Sequence, residues 1–536
     1  MQCPKCGFEN PADSLFCGEC GSSLEVTCPN CGATPPANFK FCNKCGQRLR
    51  ASSNSDKAVP QPKSQGKSET DQFQKALFSN ENPINLGHPS YQRTDPVNIK
   101  SEMAELESAN GESTLEAVDC LIKSGEKSVQ KYELEESHQF YKEAFDLLDN
   151  KTDKTKEELE LLLWLLIKWA NVFYYRGDFK DQIECFNSHL DLAESVDDKS
   201  KRGMFNGWLG LAHIMSGSGD IAQLYLKKAL HLGEDIEDQV VIGYASAWLA
   251  WSCIDQGLME DALIHGERAL EISKQIESDH YLHFKSLGAF NLVYRLLGDV
   301  KKANEIGNQL VAYGQVHSNI RSVTLGYIGI GLSHLTTGDF SSAAESLKQA
   351  IDMAIDPVYL FYAKTALINV QLLRAEYDEA EKTVNEVLAF WQKSGYGLCG
   401  LYAYGALGLL SVVRGRTDRG LQMLQEAIDD ASRQGHQFLN IAFEQMLGNA
   451  YRRISRGESR INQKAEEHLD KALELAIETG AKGLLGPIYL DLGLLHQAEN
   501  ITYRVKEYFS KAIHVFKECG ADGWIKQYEK ELAAYL

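Results

Sequence analysis

From Leu115 onward, apolar residues recur at helical spacing, and the runs are broken at regular intervals by a turn residue. The turn residues are Gly177, Gly217, Gly257, Gly298, Gly338, Ala375, Gly415 and Gly457, with Asn500 as a degenerate ninth. The intervals from Gly177 to Gly457 are 40, 40, 41, 40, 37, 40 and 42 residues, a period that predicts a stacked array of helical hairpins. Five residues after the turn stands a small residue: Ala222, Ala262, Ala303, Ala343, Ala380 and Gly420. Twelve after it come Ala229, Ala269, Ala350 and Ala427. Seven before it stand Ala170, Gly210, Ala250, Gly331, Gly408, Ala450 and Gly493, each preceded by a larger apolar residue in most repeats, such as Trp169, Leu209 and Leu249. Small side chains at these places let the first helix of each pair approach the second. After Gly457, the inserted "ESRINQK" before Ala465 predicts a longer loop.

The pattern resembles the tetratricopeptide repeat in a form of about forty residues. "WLGLAHIMSGSGDIAQLYLKKAL" (Trp208–Leu230) and "YIGIGLSHLTTGDFSSAAESLKQAI" (Tyr327–Ile351) carry it best, and the pair near Leu115–Asp149 is divergent. The expected fold is all-α: a superhelix of about ten helical hairpins over 115–536, preceded by a disordered linker over 51–114 and a small cysteine-rich region over 1–50. Such an array presents a concave surface, built largely by the first helix of each pair, to a partner protein or peptide.

The linker is polar and aperiodic ("ASSNSDKAVPQPKSQGKSETDQFQ"), and as a flexible coil it would span about 45 Å. Its Gly-Lys-Ser at 66–68 is not a phosphate loop, because Gln61 occupies the place of the first glycine and no strand precedes it.

Eight of the thirteen cysteines lie in the first forty-five residues. They form two sets, Cys3, Cys6, Cys17, Cys20 and Cys28, Cys31, Cys42, Cys45, each written as two CxxC turns separated by ten residues. Two such turns complete a tetrahedral thiolate set suited to Zn²⁺. Gly7, Gly21, Gly32 and Gly46 follow each pair and favour the left-handed backbone that aims N–H groups at sulfur. A unit this small cannot bury a core, so metal binding supplies the folding free energy. A redox pair would occur singly, beside a βαβ pattern. These residues resemble the double zinc ribbon family, which implies two structural zinc ions, no catalysis, and all eight cysteines as ligands. Cys120, Cys185, Cys253, Cys399 and Cys519 are isolated and read mostly as small apolar residues.

The stretch from Ala465 to Trp524 resembles the C-terminal repeats of bacterial multidomain adenylate-cyclase-like and ATPase regulators, which commonly begin with a zinc ribbon. Their catalytic domains lie between those ends. Here only the polar linker occupies that space, so neither activity is carried over.

The formal net charge is −19, and about −17 of it falls on the array. An acidic body disfavours nucleic acid and anionic membranes, and Lys5, Lys40, Lys44, Arg48 and Arg50 alone would support an alternative in which the ribbons contact nucleic acid. The apolar stretch near Leu161–Phe179 is broken by Lys168 and too short to span a membrane, and "MQCPKCG" carries no secretory pattern, so a cytoplasmic protein is expected. His213, His334 and His496 share a position four before the turn, read as groove-lining or core rather than as a metal site. The tryptophans read as core filling rather than a ligand cage. With no catalytic constellation legible, the functional expectation is a non-enzymatic, regulatory interaction scaffold with the ribbons as a second docking module.

Overall fold

The computed structural model describes residues 114–276, 279–455 and 457–535, and every regular element among them is a helix. The helices pair into ten hairpins: α1 (Thr114–Gln130) with α2 (Leu134–Asp149); α3 (Lys156–Arg176) with the split α4 (Phe179–Asn187) and α5 (Leu190–Ser195); α6 (Lys199–Ser216) with α7 (Gly219–Asp235); α8 (Gln239–Asp255) with α9 (Met259–Gln275); α10 (His280–Leu296) with α11 (Val300–Val316). Then follow α12 (Ile320–Thr337) with α13 (Phe340–Met353), α14 (Pro357–Leu373) with α15 (Tyr377–Ser394), α16 (Gly397–Val413) with α17 (Thr417–Gln434), α18 (Gln437–Ile454) with α19 (Ser459–Glu478), and α20 (Lys482–Ala498) with α21 (Thr502–Glu518). Two short helices, α22 (Asp522–Gln527) and α23 (Glu529–Leu532), follow the last pair. The expected tetratricopeptide-like, all-α superhelix is the observed fold.

All nine turn residues adopt the left-handed backbone, including the non-glycines Ala375 (φ 56) and Asn500 (φ 61). The divergent first hairpin has its own, Tyr132 (φ 63). The small residues lie where the two helices of a pair touch: a Cβ on Gly210 of α6 would meet Leu226 Cγ of α7 at 2.7 Å, and one on Gly331 of α12 would meet Leu347 Cγ of α13 at the same distance. "ESRINQK" is not a loop. Gly457 still makes the turn, and the insertion adds a turn to the start of α19, so that Ala465 stands eight residues after Gly457 instead of five. Three extra residues are close to one helical turn, so Ala465 keeps its buried face.

A second register mark sits at the start of the first helices. Asp198, Asp238, Asp279, Asn319 and Asp356 cap α6, α8, α10, α12 and α14, each accepting a hydrogen bond from a backbone N–H two or three residues on. A cap of this kind contributes about 1 kcal/mol.

The array winds until its turns touch. Helix α3 packs on α14, α6 on α16, α10 on α20 and α12 on α22. The hairpin turns of the first superhelical turn press against the second: a Cβ on Gly177 would lie 2.6 Å from Phe390, and one on Gly298 would lie 2.8 Å from Cys519 Sγ. Trp524 Nε1 of α22 donates to Thr336 O of α12 at 3.1 Å. Arg321 and Asp356, both buried, pair at 2.8 Å where α12 and α14 begin, and the guanidinium lies 3.4 Å from the Tyr175 ring centre.

Candidate functional site: the central cavity

The first helices of eight successive hairpins, α3 to α18, face inward and converge on a cavity of about 230 Å³. Its wall is largely aromatic and aliphatic, with Tyr174, Trp248, Trp251, Tyr359, Tyr362, Tyr396 and Tyr402 among the lining residues. Trp169, Trp208, Trp248 and Trp524 do fill core. Trp251 also lines the cavity, and Trp164 stands at the surface, 36% exposed. Core filling therefore describes most of the tryptophans, while a tightly wound array also turns part of its inward stripe into cavity lining.

Two basic side chains reach the cavity from α10. Lys285 is 6% exposed, and its Nζ donates to Tyr174 Oη at 2.6 Å. The ammonium lies 5.0 to 5.7 Å from the ring centres of Tyr174, Trp251, Tyr359 and Tyr281. Burial lowers its pKa to about 7, against the opposing charge of Asp356. Trp251 Nε1 donates to Lys285 O at 3.0 Å, and Trp248 Nε1 to Tyr281 Oη at 2.9 Å, which locks these rings in place. Arg295 sits ten residues further along α10, one weak hydrogen bond reaching Thr336 Oγ1 at 3.4 Å, while its buried Nε has no partner. Tyr402 Oη is also buried without a partner.

The lining carboxylate, Asp255 at the end of α8, is engaged by His436, whose other ring nitrogen lies 2.7 Å from Gly217 O. Cys399, also in the wall, is pushed up to about 11 by burial, so its thiol stays protonated at neutral pH. A wall of this kind binds and orients; its thiol is not poised as a nucleophile. One signal for the site was present in the sequence: Lys285 stands inside "HYLHFKSLGAFNLVYRL", where a first helix is otherwise apolar on its inner face.

The three histidines at the shared position do not converge. His213 stacks on Tyr225 (5.7 Å, 8°) and His496 on Tyr508 (5.4 Å, 13°), each within its own hairpin, while His334 is half-buried. Among the described residues, no three His, Cys, Asp or Glu gather as metal ligands. Burial holds His213 at about 4, uncharged at neutral pH. Of the cysteines beyond the N-terminal clasps, Cys253, Cys399 and Cys519 are buried, Cys185 is half-buried and Cys120 is exposed. Among the described residues no helix is long and apolar enough to cross a membrane, and the stretch at Leu161–Phe179 supplies the buried face of α3 and the first residue of α4.

Cys3, Cys6, Cys17, Cys20, Cys28, Cys31, Cys42 and Cys45, and the linker, lie outside the described residues. Residues 3–46 match the double zinc ribbon family, which implies zinc binding in this region. No curated protein matches the chain. Among solved structures, a Rap protein complexed with competence and sporulation factor is similar over 76% of this chain and 99% of its own, at 13% identity and TM-score 0.42. NprR in complex with its cognate peptide NprX covers 66% of this chain and 98% of its own, at 12% identity and TM-score 0.47. Aspartyl phosphate phosphatase F from Bacillus subtilis covers 68% and 94%, at 15% identity and TM-score 0.40.

Proposed function

We propose that the protein is a non-enzymatic interaction scaffold with a regulatory role. The array, residues 115–536, engages a partner protein or peptide. Residues 1–50 form two zinc ribbons, with Cys3, Cys6, Cys17 and Cys20 on one ion and Cys28, Cys31, Cys42 and Cys45 on the other, and dock a second partner. Residues 51–114 tether the two.

The observation that carries the reading is a pair of equivalent exposed positions on adjacent hairpins. Leu224 on α7 and Ile264 on α9 occupy the same register forty residues apart, and they are 67% and 62% exposed. Ile221, one turn before Leu224, is exposed as well. Covering a side chain of this size contributes about 1.5–3 kcal/mol, so two neighbours at one register favour an amphipathic partner helix laid across both hairpins. The central cavity, at about 230 Å³, is by contrast too small for a helix.

The test is affinity capture with the full chain. Leu224→Glu with Ile264→Glu should lose the array's partner at unchanged helix content, whereas deletion of residues 1–50 should lose a different partner. Identical capture by all three proteins would sink the proposal.

A further inference from the structure

The scaffold reading leaves the central cavity without a role, and several observations bear on what it holds. Its walls come from both superhelical turns, with α6, α8 and α10 on one side and α14, α16 and α18 on the other. The cavity is therefore complete only when the turns are closed on each other. At about 230 Å³ it is smaller than the pockets that take drug-sized molecules, which run to about 300–1,000 Å³.

The unpartnered polar groups of the wall can donate. Arg295 carries a guanidinium with no ion pair among the described residues, a buried Nε with no partner, and only the long contact to Thr336. Tyr402, 8% exposed, lines the same space, and its buried hydroxyl has no partner. Lys285 adds a further amine donor, one bond of which goes to Tyr174, whereas Asp255, the acid in the wall, is already held by His436. A buried donor left unpaired costs about 1–3 kcal/mol, and the half-buried Arg295 guanidinium has no carboxylate among the described residues to balance it, so such a wall favours an occupant that accepts hydrogen bonds and carries negative charge. The remaining wall is aromatic and aliphatic, which disfavours a bare inorganic anion and favours an apolar body.

We propose that the central cavity is a binding site for a small organic acid with an aromatic or branched apolar body. The carboxylate meets the forked edge of Arg295, and the apolar body lies against Trp251, Tyr359 and Tyr362. A guanidinium suits this task because its Nε and one Nη present two parallel donors to the two carboxylate oxygens. Tyr402 lies in the wall as a further donor. Because the ligand touches both superhelical turns, its binding favours the closed winding over any opened one.

The inference goes beyond the scaffold reading, and the two fail separately: carboxylate uptake is measured on the purified chain alone, without a protein partner. Calorimetry, thermal melting and tryptophan fluorescence are run on the full chain with phenylacetate, indole-3-acetate and 3-methylbutanoate. Phenylacetamide, phenethylamine and inorganic phosphate serve as controls. At least one carboxylate should bind with a Kd below about 1 mM, raise Tm and perturb the fluorescence of the Trp248–Trp251 wall. The isosteric amide, the amine and phosphate should each bind at least about tenfold more weakly. Arg295→Met, with helix content checked by circular dichroism, should lose about tenfold or more, and Arg295→Lys, which keeps the charge but not the fork, should lose less. Tyr402→Phe, a smaller perturbation of the fold, should weaken binding without lowering Tm of the free protein. No carboxylate binding below about 1 mM would overturn the proposal, as would equal affinity for acid and amide, or Arg295→Met and Tyr402→Phe variants that bind as the parent does.

Discussion

His436 Nδ1 lies 2.5 Å from Asp255 Oδ2, joining two residues 181 positions apart and tying one superhelical turn to the next. The same ring reaches Gly217 O, so one side chain from the start of α18 clasps both the end of α8 and the turn after α6. The clasp stands at the edge of the cavity, since Asp255 is part of its wall.

That clasp makes stability depend on pH. Burial opposes the charged form of His436, but the hydrogen bond and charge of Asp255 outweigh it and raise the pKa above 6.5. The unfolded chain holds this proton less tightly. The clasp's contribution is therefore complete below about pH 6.5 and is lost as pH rises through the raised value. The urea midpoint of His436→Gln should fall furthest below the parent near pH 6, and the gap should narrow toward pH 9. A gap that widens with rising pH would contradict the assignment.

Arg321 and Asp356 are a buried pair, with side chains 9% and 0% exposed. Burial pushes the Asp356 carboxyl up while the Arg321 charge pulls it down. Arg321→Met leaves that carboxylate alone and should cost about 3–5 kcal/mol in equilibrium unfolding. Adding Asp356→Asn, which keeps the cap on α14, should recover part of the loss. Additive losses would mean that the two groups do not depend on each other.

Gly338 and Gly415 share a left-handed backbone, at φ 81 and 82, yet differ in surroundings. Nothing lies within 4 Å of a Cβ on Gly415, whereas one on Gly338 would collide with the backbone of Trp524. Gly415→Ala should cost about 1–2 kcal/mol, the backbone term alone. Gly338→Ala should cost more and should detach α22, seen as a red shift of Trp524 emission. Equal costs would show that the contact between superhelical turns contributes nothing.

The proposed ribbons predict about two zinc ions per chain by metal analysis, in line with two four-thiolate sets. Cys17→Ser should lose one ion while the thermal transition of the array stays where it was. Unchanged zinc content would remove Cys17 from the ligand set.

The repeat was legible because its marks are local. A left-handed turn residue, a small residue five positions on and another seven positions back are demands that each hairpin makes on its own sequence, so Gly177 to Gly457 could be aligned by counting. The caps at Asp198, Asp238, Asp279, Asn319 and Asp356 were equally local and could have been aligned in the same way. The zinc ribbon is legible for the same reason, since a CxxC turn is complete within four residues.

The sequence by itself therefore determined the helices and the hairpins, and residues 3–46 match a family that implies zinc binding. The tertiary structure alone decided the winding. Small rotations from one hairpin to the next accumulate until Gly217 meets His436 and Gly338 meets Trp524. No single repeat encodes that sum. Lys285, Arg295 and Tyr402 read as isolated residues along the chain, and they share one cavity only because the accumulated rotation brings α10 opposite α16.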